Sequence, residues 1–313
     1  MNYKHLQEIV NIENKPIDYY TKKDTNKYMN LISNLNNRLE YKSSEQESNK
    51  SICHWGQRKL FISELEFLIN YYPTIDTKKY KFYVLYIGAA KGTHLLYLSS
   101  LFKEFHFILI DPAQFDTRLQ YVDNVTIVNK YFDDNDIKKY SNKDVFPNLF
   151  LISDIRFPNL SENDLNSQQE YVKEDMELQK KWFLKIKPYK ALLKFRLPWN
   201  SSKCNYLDGD IYFQAWAGRH STESRLVPNG KIKEYNNKNY EEKMHYFNKV
   251  IRRKIYKPDI FIKFNNCGHC YDCYKEHRTF LKYCELRNIS IENNRLNRFS
   301  RKLSSYLGYN EKF

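Results

Sequence analysis

The stretch that most constrains the fold is Tyr86-Ile87-Gly88-Ala89-Ala90-Lys91-Gly92-Thr93-His94. An apolar run, Phe82 to Ile87, leads into it, and Leu95-Leu96-Tyr97-Leu98-Ser99 leads away. The pattern reads as strand, glycine turn, helix. Glycine accepts the backbone angles of a tight turn and lets the main chain approach a ligand where a side chain would block it. The helix that starts there points unpaired N–H groups at whatever is bound. The spacing is not G-x-G-x-x-G, so a dinucleotide site starts at a disadvantage.

From Phe82 onward, short apolar runs alternate with helical periodicity. Strands are expected at Phe82–Ile87, Phe105–Ile110, Val125–Tyr131, Leu149–Ser153 and Ala191–Phe195, and helices at 94–103, 133–141 and 164–187. Such alternation predicts an α/β fold, Rossmann-like, with a central mostly parallel sheet flanked by helices. Ile211–Trp216 and Glu223–Val227 read as two further strands closing an edge. Upstream, Gln57 to Tyr72 reads as a helix with Phe61, Leu65, Leu68 and Tyr72 on one face. Residues 1–52 are polar and read as an N-terminal arm, partly irregular, before a single domain over 53–313. Downstream, Tyr240 to Tyr256 is amphipathic, with Met244, Phe247 and Ile251 inward and Lys243, Lys249, Arg252, Arg253 and Lys254 outward. A last basic helix carries Arg295, Arg298, Arg301 and Lys302 against Leu296, Phe299 and Leu303.

Lys+Arg 51 against Asp+Glu 37 gives a formal charge of +14, which favours a polyanion such as nucleic acid over an acidic small molecule. Biased coding explains part of the Lys, Asn and Tyr content, but not where the basic residues fall. No apolar run reaches the ~18 residues of a membrane span, and the N-terminus lacks a signal-like apolar core. A reducing cytoplasm is the expected setting, with the six cysteines as thiols or metal ligands. Cys267 and Cys270 have zinc-knuckle spacing, and Cys273, His277 or Cys284 would complete four ligands. Free thiols on a helical segment, or redox-active surface cysteines, are preferred, so no metal is expected.

Open α/β sheets bind ligands at the carboxyl ends of their strands. Those ends carry the glycine turn, Asp111, Asp154 and Lys194. A lysine inside a buried strand is costly unless it is paired or functional. With a carboxylate at Asp111 for a ribose diol, and without the remaining fingerprint glycines, S-adenosylmethionine fits better than NAD. Methyl transfer to a hydroxyl then needs a base. Lys194 is the candidate, with Lys59 as a neighbouring cation, Asp154 orienting the ammonium and Glu223 holding the second lysine.

Seven ordered segments carry a resemblance. They are Gly56-Gln57-Arg58-Lys59-Leu60, the turn at 86–94, Leu109-Ile110-Asp111, Leu151-Ile152-Ser153-Asp154-Ile155-Arg156, Lys194-Phe195-Arg196-Leu197-Pro198-Trp199, Ser221-Thr222-Glu223-Ser224-Arg225 and Tyr240-Glu241-Glu242-Lys243-Met244. Over about residues 40–285 the chain resembles the poxvirus cap-specific mRNA 2′-O-methyltransferases, which double as small regulatory subunits of poly(A) polymerase.

The resemblance implies a class I methyltransferase fold and a Lys-Asp-Lys-Glu tetrad at Lys59, Asp154, Lys194 and Glu223. It implies an S-adenosylmethionine pocket lined by Gln57, Tyr86, Gly88, Gly92, Asp111, Phe132 and Asp154. The methylated guanine would lie between Trp199 and Tyr41, read by Glu241, since aromatic faces attract a cationic base. Arg196, Leu197, Pro198 and Ser201, with Ser221, Thr222, Glu223, Ser224 and Arg225, would line the capped-RNA site. Lys203, Arg196, Arg225 and the 240–256 face are candidates for phosphate contacts.

The implied reaction is 2′-O-methylation of the first transcribed nucleotide. The implied partners are capped mRNA and a poly(A) polymerase catalytic subunit, in a viral factory of the host cytoplasm or the virion. The rival is a catalytically inactive RNA-binding subunit on the same fold. Two positions depart from the family: Ser201 replaces a carboxylate, and Ala113 replaces an arginine. The cysteine cluster is not part of the family pattern.

Overall fold

The computed structural model describes residues 29–40, 55–74, 80–156, 165–218, 220–253, 270–291 and 295–308. The sequence reads as one domain over 53–313, whereas the chain gathers into two compact units. Of the described residues, one unit holds those within 71–212 and 222–241; the other holds those up to 70, within 213–221 and from 242 on.

The first unit is built on a seven-stranded sheet: β1 (Phe82–Ile87), β2 (Phe105–Ile110), β3 (Val125–Val128), β4 (Leu149–Ser153), β5 (Lys190–Phe195), β6 (Lys203–Tyr212) and β7 (Ser224–Asn236). The spatial order is β3-β2-β1-β4-β5-β7-β6. Pairings among β1 to β5 are parallel, while β7 runs antiparallel to β5 and β6 antiparallel to β7. Strands β1, β2 and β4 are buried along almost their whole length, as parallel strands under cover must be. Because β2 and β4 leave β1 on opposite sides, the chain reverses its winding at the carboxyl end of β1, where open sheets receive ligands.

Helices α1 (Trp55–Asn70), α2 (Leu95–Leu101), α3 (Asp134–Tyr140) and α4 (Leu165–Ile186) follow the expected alternation. At the end of α2, the Asn124 amide donates towards the carbonyls of Ser99, Phe102 and Phe105 at 3.2, 3.3 and 3.0 Å, tying the last turn of the helix to the start of β2. Helix α3 opens with a reciprocal capping box between Asp133 and Asp136.

The expected strand at Ile211–Trp216 is a correction. Strand β6 starts at Lys203 and stops at Tyr212, and Trp216 has φ 62°, a left-handed conformation that no strand accommodates. A register shift between Leu207 and Gly209 breaks the period-two pattern, which hides the strand in the sequence. A Cβ at Gly209 would stand 2.1 Å from the Val227 carbonyl oxygen, so the β6–β7 crossing admits only glycine there.

The second unit contains α1, most of α5 (Asn237–Lys249), α6 (Tyr271–Leu286), α7 (Arg295–Tyr306) and short 3-10 turns at Ile32–Asn34 and Ile251–Arg253. Phe61, Leu65 and Leu68 of α1 are buried, as their spacing predicts. Tyr72 lies past the helix end, because Pro73 disfavours helical geometry at the residue before it. Phe61 and Phe299 each pack on Phe280, with ring centroids 6.0 and 5.1 Å apart.

Helix α6 also buries charge. Glu276 accepts from Arg58 Nε at 2.7 Å, Arg58 Nη2 at 2.5 Å and Trp216 Nε1 at 2.8 Å. Lys275 pairs with Glu66 at 3.0 Å and donates to the Phe213 carbonyl. Burial pulls the Lys275 ammonium below its ordinary value, and Glu66 opposes that. Arg252, expected to face outward, is instead buried, 2.7 Å from Asp272 and donating to the carbonyls of Ala217 and Gly218. Its helix stops at Lys249, and the tighter turn at Ile251–Arg253 rotates the side chain away from the face that the periodicity assigned. In α7, Leu296 and Leu303 are buried while Arg298, Arg301 and Lys302 are exposed, as read. Among the described residues no helix is long and apolar enough to cross a membrane.

Candidate active site

The glycine turn closes through backbone contacts. Gly88 N donates to Ile110 O at 2.9 Å and Asp154 N to Ile87 O at 3.0 Å, drawing the ends of β1, β2 and β4 together. Gly88 has φ 80° and Gly92 φ 71°. A Cβ on Gly88 would lie 2.8–2.9 Å from the backbone of Asp154 and Ile155. The backbone just past β4 therefore leaves no room for a side chain at Gly88.

Asp111 stands at the end of β2, half-buried. One carboxylate oxygen accepts from Ala90 N at 3.0 Å and the other from Ala113 N at 2.8 Å. Each oxygen keeps a second lone pair. Two backbone donors thus fix a carboxylate beside the turn, an arrangement suited to a vicinal diol. These residues fit the adenosine half of S-adenosylmethionine. Ala113, where the resemblance expects arginine, is exposed and contributes its N–H. Tyr86 is fully buried, so its ring belongs to the core. Phe132 is half-buried, with its centroid 6.2 Å from that of Tyr140 and 5.1 Å from that of Trp182.

Beyond β4 and β5 the charges converge. Lys194 Nζ lies 3.4 Å from Asp154 Oδ1 and 3.9 Å from Glu223 Oε2, and donates to the Ile155 carbonyl at 3.2 Å. In the β5–β7 register Lys194 sits directly opposite Arg225. Like charges directly opposite repel. The repulsion is offset because Arg225 Nη2 reaches Asp154 at 2.8 Å and Glu223 at 3.3 Å. Burial opposes the Arg225 charge, but the two carboxylates prevail and hold the guanidinium above its ordinary value. Arg156, largely exposed, reaches Glu223 at 3.4 Å.

Sequence reasoning placed Arg225 on the RNA path. At 2% exposure it is instead the internal counter-ion of the two acidic residues. The signal available was its alternation with Leu226 and Ser224, which puts it on the same strand face as Lys194.

Three tetrad positions therefore lie together: Asp154, Lys194 and Glu223. Lys59 and Gln57 lie on α1, in the other unit, both half-buried. Ser221 also falls in that unit, its carbonyl accepting from Asn248 Nδ2 at 2.9 Å.

The segment after β5 carries Trp199, 38% exposed, with the Arg196 guanidinium 4.3 Å from its ring centroid. Leu197 and Pro198 beside it are buried. Ser201 Oγ accepts from Asn237 Nδ2 at 3.1 Å, so the residue replacing a family carboxylate serves to anchor the loop. Thr222 and Ser224 are buried. Tyr240 shares a hydrogen bond with Ser224 Oγ at 2.8 Å and donates to Thr222 O at 2.5 Å. Burial raises the Tyr240 phenol above its usual range, so the hydroxyl stays a donor. Glu241 is half-buried, and Lys203 pairs with Glu234 at 2.7 Å. Tyr41 lies outside the described residues.

Cys267 lies outside them too. Cys270, Cys273 and Cys284 are buried, and His277 is buried as well. Among the described residues no group of three or more His, Cys, Asp or Glu is arranged to hold a metal ion.

The family model described as poly A polymerase regulatory subunit matches residues 24–305. A Myxoma virus protein named cap-specific mRNA (nucleoside-2′-O-)-methyltransferase is 30% identical over 244 residues, covering 71% of this chain and 69% of its own. The Fowlpox virus protein of the same name is 31% identical over 248 residues, covering 74% and 78%. Bluetongue virus VP4, whose structure is described as an RNA-capping production line, aligns with TM-score 0.43 and 15% identity over 66% of this chain and 36% of its own, a likeness too loose to carry inference. The chain belongs to the poly(A) polymerase regulatory subunit family.

Proposed function

We propose that the chain is an S-adenosylmethionine-dependent mRNA 2′-O-methyltransferase acting on the first transcribed nucleotide of capped RNA. The observation that carries the proposal is the Lys194–Arg225 pair, two cations facing each other across β5 and β7 with Asp154 and Glu223 between them. A sheet built for stability alone would not place them so. Perturbing charge arrangements of this kind gather at sites of chemistry.

S-adenosylmethionine supplies an electrophilic methyl group when bound. Asp111, fixed by Ala90 N and Ala113 N, would hold its ribose diol beside the turn. Lys194 would accept the proton of the ribose 2′-hydroxyl. Asp154 and the Ile155 carbonyl aim its Nζ, and Arg225 holds both acidic residues in place through its ion pairs. Trp199 would stack on the methylated guanine, and Glu241 would accept from the base edge. Lys59 is assigned to the same tetrad by resemblance.

The test incubates purified protein, capped RNA and methyl-labelled S-adenosylmethionine, with Lys194→Met alongside. Label at the first-nucleotide 2′-oxygen is expected, with the variant slower by about 10²–10⁴-fold. Label elsewhere, or equal label with the variant, would remove the reading. The family description supports a second role as a polymerase regulatory subunit. Co-purification with a poly(A) polymerase catalytic subunit, and a longer tail in its presence, test that role.

A further inference from the structure

We propose that Gln169 is the positioning residue that sets Trp199 for base stacking, and so governs affinity for the capped end rather than methyl transfer. The inference rests on the stacking role given to Trp199 above. Gln169 lies in the first turns of α4 and is 3% exposed. Its side-chain oxygen accepts from Arg196 Nη2 at 2.7 Å and from Trp199 N at 3.0 Å. A single acceptor thus holds both the guanidinium that backs the indole and the main chain that bears it. Both partners are N–H donors, so the amide oxygen, not the nitrogen, must face them. The amide nitrogen is buried and finds no acceptor among the described residues. A buried donor left unmet is costly, which indicates that the residue is kept for its oxygen.

The rest of the loop is fastened likewise. Asn237 Nδ2 donates to Pro198 O at 2.9 Å and Ser201 Oγ at 3.1 Å, and Asn200 Nδ2 donates to Glu170 at 2.9 Å. Trp199 therefore combines a partly exposed ring with a backbone that cannot wander. An aromatic ring ordered in advance spares the ordering cost on binding. Gln169, together with the charges of Glu223 and Glu241 that oppose the burial of Arg196, holds it in place.

The experiment measures m7GTP binding by calorimetry, and KM and kcat on capped RNA, for wild type, Trp199→Ala, Gln169→Met and Gln169→Glu. Methionine keeps the volume but removes the acceptor; glutamate keeps the acceptor. Gln169→Met is expected to raise the m7GTP Kd and the capped-RNA KM about 3- to 10-fold, the weight of one ordered side chain. The kcat and the S-adenosylmethionine KM should stay within about twofold. Gln169→Glu should bind like wild type. If wild type does not bind m7GTP, the cap reading falls and this inference with it. If Trp199→Ala abolishes binding while Gln169→Met leaves it intact, this inference alone is overturned. A Gln169→Met loss spread equally over kcat and the S-adenosylmethionine KM, or a failure of Gln169→Glu to restore binding, would also overturn it.

Discussion

Replacing Arg225 by methionine keeps a long side chain and deletes the guanidinium that stands 2.8 Å from Asp154 and 3.3 Å from Glu223. At an effective dielectric of ~20, those separations correspond to gross attractions of about 6 and 5 kcal/mol. Most of that is cancelled by the cost of taking three charges out of water. Deleting one partner does not recover this cost, because the carboxylates remain half-buried or buried. The expected net loss is about 3–5 kcal/mol, or a fall of roughly 6–20 °C in the melting midpoint of the sheet unit. Urea unfolding followed by tryptophan fluorescence reads this directly, since Trp182 and Trp199 both lie in that unit. Arg225→Lys should fall in between, as an ammonium cannot fork between two carboxylates. A methionine variant within about 1 kcal/mol of wild type would refute the view that Arg225 holds the cluster.

Asp111→Ala should weaken S-adenosylhomocysteine binding by about 30-fold, roughly 2 kcal/mol, in titration calorimetry, because both the diol acceptor and the clamp on Ala90 are lost. Gly88→Ala should cost about 2 kcal/mol or more in thermal stability, since φ 80° and a contact of 2.8 Å with backbone leave the new methyl nowhere to go. Glu276→Gln should destabilise the second unit by about 3 kcal/mol in urea, with Trp216 emission reporting it, as Arg58 is left buried without its carboxylate. Burial raises the Cys204 and Cys284 thiols, so their thiolates form only at higher pH. Disulfide-reagent labelling at pH 7.5 should be slow in the folded protein and quicken as pH rises.

The parallel core was legible because its strands are apolar runs and its turn needs glycine: β1, β2 and β4 fall where Phe82–Ile87, Phe105–Ile110 and Leu149–Ser153 place them. The carboxylates and Lys194 were legible because the carboxyl ends of parallel strands share one edge. Arg225 was misplaced because charge suggests exposure, whereas strand alternation fixes its side. Arg252 was misplaced because a helical wheel assumes an unbroken helix, and this one tightens after Lys249. Gln169 went unnoticed since no pattern marks an amide that works by touching two residues about 30 positions away. The long β6 was hidden by its own bulge.

The antiparallel entry of β7 has a consequence for assembly of the sheet. Lys194 meets Arg225 only when Leu193 faces Leu226 and Phe195 faces Ser224. A slip of one residue would turn Arg225 to the opposite face. A slip of two would carry it ~7 Å along the strand, beyond reach of Asp154. Either error leaves buried charge unmatched, so the groups assigned to catalysis also act as a lock-and-key check on strand register. A chain that has paired β5 with β7 wrongly is penalised before it meets any RNA, and the properly paired sheet emerges with its reactive lysine already aimed.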